Sequence, residues 1–217
     1  MIQSATGLIL RTRPLTETSL IVHWLTPDSG RIATVAKGAR RPKSPFLGKL
    51  DLFYVADFSF SRSRRSDLHI LREIRLRELH VALRQNLASL HQATYATAFV
   101  EEATETETPL PAVYDLMLEF LGHLCERPDG PQAVFRFELK LLQELGLKPD
   151  WERSRLSPGA RNICRVLAQG GWPACLRLKL SHVQIAELQQ FLHGFLIFHL
   201  GRLPKGRAEA LARQDSK

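Results

Sequence analysis

TSLIVHWLTPDSGRIATVAK, residues Thr18 to Lys37, decides how the first third of the chain is read. Thr18–Leu25 is rich in branched and aromatic residues, which suit an extended, half-buried backbone. Pro27-Asp28-Ser29-Gly30 then favours a reversal at every position. Proline presets φ, aspartate and serine bond back to nearby amides, and glycine tolerates positive φ. Arg31–Lys37 resumes a period of two, so the stretch is predicted to be strand, tight turn, strand.

The same signals extend to both sides. Upstream, Thr6–Thr12 carries Leu8 and Leu10 on one face. Downstream, a break at Arg41-Pro42-Lys43-Ser44-Pro45 precedes Leu50–Phe60, where Leu52, Tyr54, Ala56, Phe58 and Phe60 alternate. Asp67–Leu76 places Leu68, Ile70, Arg72, Ile74 and Leu76 on one side. Five short strands in about 70 residues suit a small closed barrel. An OB-fold has that strand count, and an SH3-like barrel fits the pattern as well.

From Arg77 the apolar period becomes helical. Leu79, Leu83, Leu87 and Leu90 mark a stripe predicted to continue through Tyr95 and Phe99 to Glu101–Glu107, closed by Pro109 and Pro111. A second helix holds Val113, Leu116, Met117, Phe120, Leu121 and Leu124, and ends before Pro128-Asp129-Gly130. A third opens at Pro131, buries Val134, Phe135, Leu139, Leu142 and Leu145, and stops at Gly146. Ser181 and Gln184 form a capping box for a last helix with Ile185, Leu188, Leu192 and Phe195 inward. Residues 151–180 are the least regular, with Ser157-Pro158-Gly159 and Gly170-Gly171-Trp172-Pro173 read as turns. The expected class is α+β: an N-terminal five-stranded OB-fold-like barrel over residues 1–78, then an α-helical domain over residues 79–217.

Composition narrows the function classes. With 217 residues, 44% hydrophobic and 24% charged, the chain is neither disordered nor fibrous. No apolar run approaches the roughly 18 residues of a bilayer span. The longest, Phe191–Leu200, is interrupted by His193, Gly194 and His199. Met1–Gly7 lacks a basic head followed by an apolar stretch, which argues against a secretory signal. Cys125, Cys164 and Cys175 have no metal-like spacing and fit a reducing compartment, so no metal or other cofactor is expected and a cytoplasmic location is.

The net charge of +8 is uneven. Residues 1–80 hold 14 Lys/Arg against 7 Asp/Glu, whereas residues 81–120 hold 1 against 6 and residues 151–217 hold 11 against 4. A polyanion would be drawn to the two basic ends, because each phosphate contact releases condensed counterions. The cations cluster at predicted connections: Arg11 and Arg13 at the end of the first strand, Lys37, Arg40, Arg41, Lys43 and Lys49 in one connection, and Arg62, Arg64 and Arg65 in the hairpin Ser61–Ser66. OB-folds hold single strands with a cationic groove and stacking aromatics, and Phe46, in a Pro-flanked polar connection, is the expected stacking residue. Enzyme signatures are missing from this pattern. The carboxylates Asp51, Asp57 and Asp67 do not form a metal-binding spacing, and no Gly-rich phosphate loop ends in Lys-Ser/Thr.

Three blocks carry a family likeness. The first is Gly7-Leu8-Ile9-Leu10-Arg11-Thr12-Arg13-Pro14 with Glu17-Thr18-Ser19-Leu20, continuing through Thr26–Ile32 to Val35-Ala36-Lys37-Gly38-Ala39-Arg40-Arg41. The second is Phe135–Leu142 with Leu145-Gly146-Leu147-Lys148-Pro149-Asp150, and the third is Leu203-Pro204-Lys205-Gly206-Arg207. With these the sequence resembles RecO, the bacterial recombination mediator family. The resemblance implies an OB-fold followed by a helical region. It also implies binding of single- and double-stranded DNA, annealing of complementary strands, and help in placing RecA on DNA coated by single-strand-binding protein (SSB), with RecR as co-mediator. Carried over by position, it makes Arg11, Arg13, Arg31, Lys37, Arg40 and Arg41 DNA contacts; Lys205 and Arg207, after the last helix, either extend that surface or only favour the helix dipole, the simpler reading. Arg136 and Lys140 would receive the acidic tail of SSB, although Arg136 equally suits a structural pairing with a nearby Glu, and the protein would work without catalysis, in the cytoplasm at the nucleoid. Two departures stand out. Some members carry four cysteines on zinc where this chain has only Cys164 and Cys175, and the stretch after Trp151 is short. Two other readings remain open on sequence: a structured-RNA-binding OB protein, and an adaptor that docks an acidic peptide tail.

Overall fold

The structure is a computed structural model that describes residues 1–126 and 130–212; the expected turn at Pro128-Asp129 lies outside the described residues. The chain divides into two compact units, Met1–Val81 with Thr104–Asp115, and Ala82–Ala103 with Leu116–Lys217. Thr104–Asp115, expected in the helical domain, therefore belongs to the barrel unit.

Five strands build the first unit: β1 (Ile2–Pro14), β2 (Leu20–Thr26), β3 (Gly30–Ala36), β4 (Val55–Ser61) and β5 (Leu68–Glu78). They close in the order β1-β2-β3-β5-β4, antiparallel except for the parallel β3–β5 pair. This is the strand order of an OB-fold. The β2–β3 turn forms as its residues dictate. Thr26 pairs with Gly30, which takes φ +62°, and Thr26 Oγ1 donates to the Gly30 carbonyl at 2.9 Å. Strand β1 is longer than expected because it serves two neighbours. Ile2–Leu8 pairs with β4 and Leu8–Pro14 with β2, and an irregularity between Ile9 and Arg11 bends it from one to the other.

Two strand readings are corrected. The fourth strand starts at Val55 rather than Leu50, because Phe53 adopts φ +66° and breaks the extended run. In β5, Leu68, Ile70, Arg72, Ile74 and Leu76 do not share one side. Phe60 pairs with Leu71 but Ser59 with Glu73, so Arg72 is an extra, bulged residue. The slip reverses the inward parity: His69 and Leu71 are buried before it, and Ile74 and Leu76 pack on the core after it. Inside the barrel Trp24 stacks on Phe58 with ring centroids 4.0 Å apart, and its indole N–H donates to Thr34 Oγ1 at 2.9 Å.

The second unit is helical. A 3₁₀ turn, Val81–Gln85, precedes α1 (Leu87–Ala103), so the stripe from Leu79 is not one helix. Asn86 interrupts it by accepting the Ser89 N–H at 3.0 Å, as an N-terminal cap does. Next come α2 (Pro111–Glu126), which enters this unit at Leu116, and α3 (Pro131–Glu144). Helix α3 starts at Pro131 and ends before Gly146 (φ +74°), as expected, and is buried on nearly every side. Residues 151–180 are more regular than expected, with α4 (Pro158–Gln169) and α5 (Trp172–Leu176). Ser157-Pro158 is a helix start rather than a turn: the Ser157 hydroxyl accepts the Ala160 N–H and Pro158 fills the first turn. Helix α6 (His182–Leu200) has the Ser181/Gln184 capping box and Gly201 in the left-handed conformation. Leu188, Leu192 and Leu196 are its sealed residues, with Phe195 only half-buried. Helix α7 is Arg207–Leu211. No helix among the described residues is long and apolar enough to cross a membrane.

Candidate nucleic-acid interface

The strand pairing sorts the predicted barrel cations onto two ends and one face. Pro14 pairs with Leu20 and Leu20 with Ala36, so the β1–β2 turn and the start of the β3–β4 connection share one end. Arg13, Lys37, Arg40, Arg41 and Lys43 are exposed there or close by in sequence, while Lys49 is half-buried. The connection is a chain of tight turns, Arg41 N to Gly38 O at 3.1 Å, Ser44 N to Arg41 O at 3.0 Å and Lys49 N to Phe46 O at 3.0 Å. Two apolar residues, Ala39 and Phe46, pin it into the barrel core, so the charged side chains between them stay outside. Arg40 also ties it to the β1–β2 turn, its N–H donating to Thr18 O at 3.0 Å and its guanidinium to Thr16 O at 3.3 Å. Lys37, Arg40, Arg41 and Lys43 have no carboxylate partner among the described residues.

Phe46 corrects its own reading. It is 7% exposed and part of the barrel core, so it anchors the connection and offers no free face for a base. Its Pro-flanked polar neighbourhood hid this, because the core it enters is built from distant strands.

Along the outer face of β1–β3, Arg11 stands opposite His23 in the ladder. Arg13 Nη2 lies 3.2 Å from His23 Nε2, and since arginine can only donate, the imidazole accepts there. Burial, and after it the fields of Arg11, Arg13 and Arg31, push His23 down from 6.5 to about 4. At neutral pH it is an uncharged acceptor among guanidinium groups. Sequence reasoning passed over His23, although its place on the polar side of β2, between Val22 and Trp24, was the available signal.

At the other end, Arg64 and Arg65 are exposed in the β4–β5 loop, where the Ser63 hydroxyl accepts the Arg65 N–H at 3.3 Å. Arg62 pairs instead with Glu107, and Arg31 donates from Nε to Thr104 Oγ1 at 2.8 Å. These two cations are engaged within the barrel unit.

In the helical unit two predicted binding residues are structural. Arg207 is 5% exposed and clamps Glu138, which is fully buried, through two bonds of 2.6 and 3.0 Å. Tyr95 O–H donates to the same carboxylate, and burial, reinforced by the Glu138 charge, raises the phenol well above its usual range. Arg207 therefore presents no charge to a ligand, while Lys205 remains exposed. Arg136 is 4% exposed. It donates to the carbonyls of Leu167, at 3.0 Å, and Gly170, reaches Glu119 at 3.3 Å, and lies 4.8 Å from the Trp172 ring centre. Nη1 closes the C-terminal end of α4 and Nη2 takes the Glu119 carboxylate, and Lys140, one helical turn on, is half-buried.

The strand order places the first unit in the OB class of small β-barrels. Residues 1–80 match the family model described as Recombination protein O N terminal, and residues 84–154 match Recombination protein O C terminal. The DNA repair protein RecO of Rhodopirellula baltica is 33% identical over 83% of this chain and 69% of its own length. That of an Anaeromyxobacter species is 31% identical over 91% of both. That of Bacillus subtilis is 30% identical, but the alignment spans 69% of this chain and 58% of the relative. The chain belongs to the RecO family of DNA repair and recombination proteins.

Proposed function

We propose that the chain is a DNA-binding recombination mediator that acts by binding rather than catalysis. The observation that supports this reading is the open charge at one end of the barrel. Arg13, Lys37, Arg40, Arg41 and Lys43 stand exposed around a connection whose apolar anchors hold it in place. Such a rim neutralises sugar-phosphate backbones. It binds single- and double-stranded DNA alike and, by lowering the repulsion between two strands, speeds their annealing. In this reading the chain works at the nucleoid with RecR, on DNA coated by SSB, and helps RecA to load. The relatives' names as DNA repair proteins and the OB order of the barrel are in keeping with it.

Fluorescence anisotropy with labelled oligo-dT across a salt series tests the binding. Five phosphate contacts on a single strand give a log-log slope near about −3.5. A flat salt response, or binding unchanged when Lys37, Arg40 and Arg41 become Ala, overturns the reading. An annealing assay on SSB-coated complementary strands then tests mediation itself, with acceleration expected for the wild-type chain and none for the triple variant.

A further inference from the structure

A single short segment of the barrel unit, Thr104–Thr108, holds two of the cations that sequence reasoning assigned to DNA. Arg31 and Thr106 form a parallel bridge, and the Glu107 N–H donates to the Arg31 carbonyl at 2.9 Å. The Arg31 side chain returns the contact at Thr104. Gly30 lies beneath this segment with φ +62°, and a Cβ there would stand 1.9 Å from the Thr108 carbonyl oxygen, so the close approach requires glycine.

The segment delivers the Glu107 carboxylate to a defined place. One oxygen takes the Arg62 guanidinium and the other lies 3.1 Å from His69 Nε2. His69 is buried and stacked on Phe60, with centroids 5.2 Å apart and planes at 9°. Its Nδ1 accepts the Ser63 N–H at 3.4 Å, which leaves the ring proton on Nε2, pointing at Glu107. The carboxylate is thus fixed by its own main chain, by a buried imidazole and by Arg62. Most surface ion pairs float, whereas this one is built. Phosphate oxygens and carboxylate oxygens compete for the same guanidinium fork.

We propose that Glu107 is an internal competitor for nucleic-acid phosphate: it occupies Arg62 and keeps that cation out of the phosphate path, and so sets the affinity of the β4–β5 end of the barrel. This rests on the DNA-binding reading above. Glu107→Gln is the sharpest probe, because the amide oxygen still accepts from His69 while the charge is gone. With oligo-dT and the full chain, E107Q binds about two- to fivefold tighter at moderate salt. Its log-log slope steepens by about 0.7, the increment of one added contact on a single strand. Neither change occurs when Arg62 is already Ala, and Glu73→Gln, an equal charge change on the exposed side of β5, does not reproduce the pattern. In the otherwise wild-type chain, Arg62→Ala leaves the slope as it was, while Lys37→Ala lowers it by about 0.7. The competitor role is overturned if E107Q leaves affinity and slope unchanged, or if its gain persists without Arg62. It is equally overturned if Arg62→Ala alone flattens the slope, a measurement that does not depend on how E107Q folds. Failure of the DNA-binding reading looks different: the wild-type chain then shows no salt-dependent binding, and Lys37→Ala changes nothing.

Discussion

Arginine does opposite work in the two units. In the helical unit Arg207 and Arg136 are sealed, Arg207 against Glu138 and Arg136 through its two η-nitrogens against helix-end carbonyls and Glu119. At the β3–β4 connection of the barrel, Arg40, Arg41, Lys37 and Lys43 stay in solvent, held outward by a loop whose Ala39 and Phe46 turn inward. By charge count alone the two ends of the chain are alike, each with a net +7. What separates a sealed cation from an open one is whether a partner reaches it from elsewhere in the same unit, as Glu107 reaches Arg62 in the barrel and Glu138 reaches Arg207 in the helices. A cation spent on internal structure shows in stability, and one left open shows in binding. Stability measurements therefore sort the cations into the two groups.

The largest effect belongs to the sealed pair. Glu138→Ala leaves the Arg207 charge buried without a counterion and removes the acceptor of Tyr95, so it costs about 3–5 kcal/mol. Denaturant unfolding measures this, and Glu138→Leu combined with Arg207→Met recovers most of the loss, because neither charge then remains. An unchanged midpoint for Glu138→Ala would place Arg207 with the open cations after all. Arg136→Ala comes next. It strips donors from the last carbonyls of α4 and costs about 2–4 kcal/mol, again read by denaturant unfolding.

The sequence made legible whatever is decided within a few residues. The β2–β3 turn, the proline start and glycine stop of α3, and the capping box of α6 all follow from local chemistry and occur as expected. Features set at a distance were not legible. The bulge at Arg72 depends on how β5 meets β4, and a slip of one residue reverses every side chain after it. Phe53 takes a positive φ that its residue type does not announce, while its N–H donates to Ile9 forty-four positions earlier. The same holds for the site. Loop position identified the exposed cations, but the partners of Arg207 and Arg62 lie 69 and 45 residues away. Helix α4 is a different case: Ser157-Pro158 was a local start signal, and Gly159 after it made it look like a turn.

His23 lies between the two groups, half-buried beside Arg13 on the outer face of β1 and β2. Its folded pKa of about 4 lies below the ordinary 6.5, so between those values the unfolded chain binds a proton that the folded chain refuses. Stability consequently falls as the pH drops from about 6.5 to 4, by about 1–2 kcal/mol once solvent around a half-buried ring is allowed for. His23→Gln, which still offers Arg13 an acceptor, removes that part of the pH dependence. Unfolding curves of the two chains compared at pH 7 and pH 5 check it, and parallel behaviour would mean that burial, with the guanidinium field behind it, depresses the ring less than its surroundings indicate.

The smallest change in stability is expected where the change in binding is greatest. Lys37, Arg40 and Arg41 contribute little to the fold, since none has a carboxylate partner among the described residues and the connection is held by Ala39, Phe46 and main-chain bonds. Replacing all three by Ala should move the unfolding free energy by no more than about 0.5 kcal/mol. The one side-chain bond at stake, from Arg40 to Thr16 O, is solvent-exposed. The same substitution should lower the salt slope on single-stranded DNA by about 2, the share of three phosphate contacts. The two results constrain each other. A loss of stability comparable to that of Arg136→Ala would mean that these cations brace the connection, and the weaker binding would then report a displaced loop. Unchanged stability with a reduced slope leaves phosphate as their partner, because a charge that the fold does not use and the ligand requires has no other role in the barrel.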